Sequence, residues 1–299
     1  MKIIQKNYQD IKFEEPIAIA IGNFDGFHLG HQQIIKALLT STLKKVLMTF
    51  NPHPRQFYQA DFKVLSTDNQ KGELLSQLDY LCVINFDQEF AGLGVDEFIS
   101  FLQNNHVNEI YVGKDFSFGK NALGTIKDLR AYFKVVIIDD VVVDDHKVSS
   151  TLIKQLLSEG QIGEANKLLG THYQLSSIVI HGKKLGRTLG YPTANLALDN
   201  QFLPMDGVYL VRVQIDDHQQ YYGLCSIGTN PTVTGDCDKK VEVYILDFNE
   251  DIYGMRLDVE FIKLLRHQIK FNSLTELVNQ LKNDEINVKD NIAKLKFEK

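Results

Sequence analysis

The sequence predicts an α/β domain followed by an all-β domain that closes with a helix. Three observations carry this expectation. Up to about residue 173, short apolar runs alternate with helical patterns. Beyond it, strand-like runs follow one another with only turn material between them. The chain then ends in one amphipathic stretch. Short apolar strands separated by helices imply a mostly parallel sheet with helices on both faces. Consecutive strands without helices imply an antiparallel sheet or barrel.

In the first part, Ile17–Ile21 (IAIAI) reads as a buried strand. Residues 32–43 read as a helix, with Ile34, Ile35, Leu38 and Leu39 at helical spacing. Val46–Phe50, Tyr80–Phe86, Glu109–Gly113 and Val135–Val143 supply further strands, and Phe98, Phe101 and Leu102 mark another helix. Ligands of such sheets bind at the carboxyl ends of the strands. A helical stretch, Ser150–Leu169, ends at Gly170, and the domain boundary is placed near residue 173, giving domains 1–173 and 174–299. In the second part, Ser177–His181, Val208–Ile215, Tyr222–Ile227, Val241–Phe248 and Leu257–Leu264 read as strands. Ser273–Glu276 has the form of a capping box, and Leu274, Leu277, Val278 and Leu281 form one apolar stripe.

Composition narrows the function classes. The 299 residues allow two domains, and 44% hydrophobic with 23% charged residues suits a packed core. A net charge of −6 disfavours a broad nucleic-acid surface while leaving local phosphate sites open. Cys82, Cys225 and Cys237 are scattered, so neither a disulfide framework nor a zinc module is expected, and a reducing compartment fits. The segment MKIIQKNYQDIKF lacks a signal-peptide core, and no run of about 18 apolar residues exists to span a membrane. The expectation is a soluble cytoplasmic protein, a monomer or weak homo-oligomer.

Two segments carry chemistry. The first, Gly22–His31 (GNFDGFHLGH), follows a strand and opens a helix. A helix N-terminus offers unpaired N–H groups and partial positive charge to a phosphate. Gly22, Gly26 and Gly30 allow close backbone approach or positive φ. His28 and His31, three apart, can stabilise charge on a phosphate and a leaving pyrophosphate, either protonated or as neutral donors. Read alone, such a pair is more often two ordinary helix-start residues and only seldom a metal-ligand pair, for which no third ligand is obvious nearby. The strand, the glycines and the helix start favour the phosphate reading. Ser149, Ser150 and Thr151 with Lys154 begin a second helix; they are either a simple N-cap or a hydroxyl and cation aimed at the same triphosphate.

The second segment, Gly182–Asn195 (GKKLGRTLGYPTAN), spaces Gly182, Gly186 and Gly190 four apart among Lys183, Lys184 and Arg187. Such a loop can wrap an anion or be a solvated hairpin. Pro192 fixes the backbone ahead of Thr193, and Thr193 and Asn195 offer hard oxygen donors of the kind magnesium accepts. Glu242 lies in the apolar strand VEVYIL, where a carboxylate faces solvent, a partner or a cavity; in a cavity it can act as a general base.

These residues resemble a known family. GNFDGFHLGH is similar to the G-x-F-D-G-x-H-x-G-H motif of prokaryotic riboflavin kinase/FAD synthetases, within the wider HxGH nucleotidyltransferase group. Thr49–Phe57 (TFNPHPRQF), Val112–Gly119 (VGKDFSFG) and Val148–Lys154 (VSSTLIK) resemble further segments of its synthetase module. GRTLGYPTAN resembles the kinase signature G-R-x-x-G-x-P-T-A-N, and GVYLVRV, SIGTNPTV, VEVYILDF and IYGMRLDVEFI resemble the strands that follow it. Lys154 stands where the family often has arginine, and His267 and Gln268 stand where it often has acidic residues.

The resemblance implies a Rossmann-like nucleotidyltransferase domain and a riboflavin-kinase-type antiparallel β-barrel with a terminal helix. It implies phosphorylation of riboflavin to FMN and adenylylation of FMN to FAD, each using ATP with Mg2+, the adenylyl transfer without a protein nucleophile. For adenylyl transfer it implies His28 and His31 as charge-stabilising catalytic groups. Gly22, Asn23, Phe24, Gly30, Ser150, Thr151 and Lys154 would bind ATP, and Asp115, Phe116 and Phe118 would shape the nucleotide or flavin pocket. For the kinase it implies Glu242 as base, Thr193 and Asn195 at the metal, and Gly182, Lys184, Gly186 and Arg187 around ATP. Arg266 would touch the flavin. Two rival readings are an active synthetase with a merely flavin-binding barrel, and a different HxGH enzyme, such as a cytidylyltransferase, fused to an unrelated barrel.

Overall fold

The computed structural model describes residues 1–66, 75–182, 186, 189–216, 220–229 and 239–297. The chain divides into two units, Met1–Ser150 and Thr151–Lys299.

The first unit is built on a six-stranded parallel sheet of β1 (Lys2–Lys6), β2 (Ile17–Ile21), β3 (Lys44–Asn51), β4 (Tyr80–Asn85), β5 (Val107–Gly113) and β8 (Lys134–Ile138), in the order β1-β4-β3-β2-β5-β8. Strand β2 shows why its sequence folds this way. Successive side chains of a strand point to opposite faces. Ile17, Ile19 and Ile21 therefore join one core with Phe98, Ile99 and Leu102 of the helix Val95–Asn104. Ala18 and Ala20 face the other core, where Ile35 and Leu38 of helix α1 (Leu29–Leu38) lie. Small alanines on that face make room for α1 and for the ring of Phe24. Each buried isoleucine contributes about 1.5–3 kcal/mol. In chain order the sheet grows from β2 through β3 to β4, then returns to add β5 on the other side of β2. The carboxyl ends of β2 and β5 thus flank the topological switch point, where ligands of such sheets bind.

Local expectations need three adjustments. Helix α1 starts at Leu29, ahead of residue 32, because His28 caps it, and it ends at Leu38 rather than 43. The run Val135–Val143 is two strands: β8 ends at Ile138, and Val142–Val143 (β9) turns back through Asp144 and Asp145, both at positive φ, to pair with His146–Lys147 (β10). Strand β1, unseen in the sequence pattern, adds a parallel edge beside β4 because its side chains are mostly exposed and carry no apolar alternation. A short hairpin of β6 (Ser117–Phe118) and β7 (Gly124–Thr125) follows β5.

The second unit is a closed antiparallel barrel of β11 (Tyr173–Ile180), β12 (Thr193–Leu196), β13 (Gly207–Ile215), β14 (Gln220–Thr229), β15 (Lys239–Ile245) and β16 (Arg256–His267), in the order β11-β12-β15-β14-β13-β16. Tyr209 and Phe261, both fully buried, meet edge to face at 5.2 Å in its interior. On the outside, Val208, Leu210 and Leu224 pack against Val288 of the terminal helix Leu274–Phe297. The cap of that helix is a modified box: Glu276 N donates to Ser273 Oγ at 3.2 Å, while the Glu276 carboxylate accepts from Asn272 N at 2.9 Å.

Two helices, Ser150–Ser158 and Ile162–Leu169, precede β11. Packing groups all but Ser150 with the barrel, whereas the sequence places the domain boundary near 173. The reason is a clasp. Asn166 Nδ2 donates to Phe261 O at 2.9 Å, and Asn166 Oδ1 accepts from Tyr173 N at 2.7 Å. Gly170, at φ 72°, ends the second helix and turns the chain into β11.

Candidate active sites of the two units

In the first unit, the candidate segments leave the carboxyl ends of adjacent strands: Gly22–His31 after β2, Asn51 and the following prolines after β3, and Lys114–Gly119 after β5. The loop after β2 is tightly wound, with Phe24, Gly26 and Phe27 all at positive φ. Asp25, a buried carboxylate, holds it: Oδ1 accepts from Leu65 N at 2.6 Å. Gly26 N donates to Ser66 Oγ at 3.0 Å, and buried Thr49 donates from Oγ1 to Asn23 O at 3.1 Å.

His28 is the N-cap of α1, and its Nδ1 accepts from His31 N at 3.4 Å. The two imidazoles stack, with centroids 3.7 Å apart and planes 16° apart. Burial pushes the His28 pKa down to about 4, so the ring is neutral at pH 7. With Nδ1 accepting, the proton of the neutral ring sits on Nε2, which makes His28 a neutral donor rather than a cation. Gly30 serves this arrangement, because a Cβ there would lie 3.2 Å from the His28 ring. The N-terminus of α1 supplies further N–H groups for an anion.

Several expected residues take a different part. Gly22 donates its N–H to Met48 O at 3.1 Å, so this amide belongs to the sheet and not to a phosphate. Phe24 is buried in the core under α1, so only its backbone borders the loop surface. The Ser150 hydroxyl donates to Asp25 O at 2.8 Å and fixes the loop. Asn23 remains exposed. Thr151 and Lys154 follow Ser150 on the first turn of its helix, in the second unit. Asp115 is exposed and pairs with Lys147. Phe116 is half-buried, whereas Phe118 is a core residue against Phe98 at 4.9 Å and supports the segment from below.

In the second unit, the candidate residues converge on one cleft of about 870 Å3, lined by Gly182, Gly186, Thr193, Asn195, Glu242 and Arg266 among others. Thr193 and Asn195 alternate with Ala194 and Leu196 along β12, so two oxygens face the cleft while the other two side chains are buried in the barrel. The register sets Asn195 opposite Glu242 of β15, and Thr193 Oγ1 donates to Glu242 Oε2 at 3.5 Å. Glu242 is therefore a cavity residue rather than a solvent-facing one. Gly182 is bare for a reason: a Cβ there would lie 2.2 Å from Asn195 Nδ2. Lys184 and Arg187 lie outside the described residues. A second cleft of about 440 Å3 shares Thr193 with the first and is lined by Phe248, Asn249 and Tyr253.

Arg266, at the end of β16, also lines the large cleft. Its guanidinium is held bidentately by Asp284, with Nε to Oδ1 at 2.9 Å and Nη2 to Oδ2 at 2.7 Å. Sequence reading did not single out Asp284. A signal existed, since Leu277, Leu281, Asp284 and Val288 fall on one helical face and a carboxylate in such a stripe needs a partner. Gln268, where the family often has an acid, donates to Ser226 Oγ at 3.0 Å and Ile227 O at 2.9 Å.

Among the described residues, no group of three or more His, Cys, Asp and Glu side chains could hold a metal. None of their helices is long and apolar enough to cross a membrane.

A parallel sheet with a glycine–histidine loop at its switch point, joined to a barrel with a Thr–Asn–Glu cleft, defines a two-site transferase of nucleotide substrates. Comparison with known proteins gives the family. Residues 10–152 match the FAD synthetase family model and residues 169–292 the riboflavin kinase model. A bifunctional riboflavin kinase/FMN adenylyltransferase of Listeria monocytogenes is 37% identical over 93% of both chains. Proteins of the same name from Bacillus subtilis and Escherichia coli are 35% and 34% identical, over 92% and 93% of both chains respectively. A solved structure titled macrolide-efflux protein, from Streptococcus pneumoniae, superposes with a TM-score of 0.86 at 36% identity, covering 97% of this chain and 99% of that one. The chain belongs to the bifunctional riboflavin kinase/FMN adenylyltransferase family.

Proposed function

We propose that residues 174–299 phosphorylate riboflavin to FMN and that residues 1–173 adenylylate FMN to FAD. The functional boundary at 173 keeps Thr151 and Lys154 with the adenylyl site, although by packing their helix belongs to the second unit. The observation that carries the kinase assignment is the pairing of Asn195 with Glu242 across β12 and β15, at the wall of a cleft large enough for a tricyclic flavin.

In the kinase reaction, riboflavin occupies the large cleft and ATP the adjoining one, so that the γ-phosphate meets the 5′-hydroxyl beside Thr193. The hydroxyl oxygen bonds to the γ-phosphorus, the bond to the β-phosphate oxygen breaks, and Glu242 takes the hydroxyl proton. Gly182 and Gly186 border the phosphates, and the family resemblance adds Lys184 and Arg187, which lie outside the described residues, as further ATP-binding residues. Thr193 and Asn195 carry hard oxygens, and the Asn195 amide fits against the bare Gly182, so these residues suit Mg2+. When bound, the ion neutralises charge on the transferred phosphate.

In adenylyl transfer, an FMN phosphate oxygen bonds to the α-phosphorus of ATP and pyrophosphate leaves. No protein nucleophile takes part. The His28 Nε2–H, His31 and the amides at the start of α1, including Gly30, stabilise the developing charge without net positive charge on His28. Asn23, Thr151 and Lys154 support the triphosphate, while Ser150 and the backbone of Gly22 and Phe24 set the loop. Asp115 and Phe116 border the nucleotide or flavin, with Phe118 behind them. The protein acts in the cytoplasm on small molecules, without nucleic acid, as a monomer or weak homo-oligomer.

The test is incubation of the purified protein with Mg2+, ATP and either riboflavin or FMN, followed by chromatographic separation of the flavins. FMN from riboflavin and FAD from FMN are expected. FAD from FMN without any FMN from riboflavin would leave the barrel as a binding module. No flavin product would point to another nucleotidyl transfer.

A further inference from the structure

We propose that Asp284, on the terminal helix, is a positioning residue for riboflavin binding and acts through Arg266. This rests on the assignment of riboflavin to the large cleft of the barrel. Asp284 is 3% exposed, yet it lies at the wall of that cleft with Arg266. A buried carboxylate without a cation would be costly, and here both its oxygens bond Arg266. Gln280, one turn earlier, donates to the same Oδ1 at 2.8 Å and fixes the carboxylate in turn.

The guanidinium has five N–H donors. Nε and Nη2 use one each on Asp284, and Nη1 uses one on His267 O at 3.1 Å. Among the described residues, no further partner takes up the two that are left, one on each terminal nitrogen. A planar fork gripped on one side presents its other side in a fixed orientation. That edge suits the oxygen acceptors of a flavin, its ring carbonyls or ribityl hydroxyls. Asp284 therefore aims Arg266, and in doing so ties the helix carrying Leu277 and Leu281 to the cleft they line. In this chain the carboxylate that pairs with Arg266 comes from the terminal helix, since Gln268 is bonded to Ser226 and Ile227 instead.

The experiment compares Asp284→Asn, Asp284→Glu, Arg266→Ala and Val288→Ala in the full chain. Val288 anchors the same helix in the apolar cluster of Val208, Leu210 and Leu224, so its truncation reports loosened packing. Asp284→Asn is expected to raise the riboflavin KM about tenfold, the effect of weakening one charge-assisted pair, with the ATP KM within about twofold of wild type. Asp284→Glu should recover part of that loss. A purely structural role would instead move both KM values together, as is expected of Val288→Ala, and would overturn the proposal.

Arg266→Ala separates the two layers of the argument. If it leaves the riboflavin KM unchanged, riboflavin is not held here, and both the cleft assignment and the role of Asp284 fail. If it raises the KM while Asp284→Asn does not, only the positioning role fails. Should Asp284→Asn not fold, hydrogen exchange of the wild-type protein decides. Riboflavin is expected to slow exchange over residues 277–285 together with 193–196. Protection of 193–196 alone would overturn the proposal.

Discussion

Glu242 and His28 show two ways a single side chain acquires a chemical task. Glu242 projects from an otherwise apolar strand toward the cleft that also holds Thr193 and Asn195. Replacing it with Gln keeps the shape and removes the proton acceptor. Glu242→Gln should lower riboflavin phosphorylation by about 10²–10⁴-fold, the usual contribution of a general base, while FMN adenylylation stays within about twofold of wild type. Equal loss of both activities would contradict separate sites. His28 is instead held neutral by burial, with its pKa pushed down to about 4. Its unfolded counterpart titrates near 6.5. Between those values the unfolded chain binds a proton that the folded chain refuses. The contribution is thus fully present above pH 6.5 and is lost as pH falls toward 4. The loss reaches at most about 3 kcal/mol. Denaturant unfolding from pH 7 to pH 4 should show this decline, and a His28→Asn variant should show a shallower one.

At the scale of elements, strand β12 is the case where local reading fell short. GYPTAN reads as the end of a glycine loop, because four residues are too few for a periodic signal and Pro192 punctuates them. In the fold, those four residues complete the barrel between β11 and β15 and deliver Thr193 and Asn195 to the cleft. The strand also requires its neighbour to be glycine. In Gly182→Ala the new methyl would lie 2.2 Å from the Asn195 amide and must displace it. Riboflavin phosphorylation should fall at least about tenfold, as expected when a positioned group moves by around an ångström, with adenylylation of added FMN unchanged. The glycine–histidine loop was legible as a candidate phosphate site from its place between a strand and a helix. What could not be read was the division of labour inside it. Gly22 gives its amide to β3, Phe24 supports α1, and Ser150 tethers Asp25.

For the whole molecule, each set of candidate residues lies within the region matched by its own family model, apart from Lys154 just beyond residue 152. A protein with His28→Ala should still make FMN from riboflavin. A protein with Glu242→Gln should still make FAD from FMN. Neither alone should convert riboflavin to FAD at more than about 1% of the wild-type rate, given a loss of about 10²-fold or more at each site. Mixed with Mg2+, ATP and riboflavin, the two variants should produce FAD through released FMN. A mixture that yields FMN but no FAD would contradict independent sites.

By itself the sequence determined the two architectures, their order along the chain and the two candidate loops. Alternating isoleucine and alanine, helical spacing and glycine–histidine clusters are local patterns, and burial and chain reversal act on them locally. Only the tertiary structure decided that His28 is neutral, that Asn195 faces Glu242, that Gly182 must stay bare and that Asp284 grips Arg266. These depend on desolvation and on partners up to 47 residues away, brought together by barrel closure and helix packing, and no local pattern names the partner.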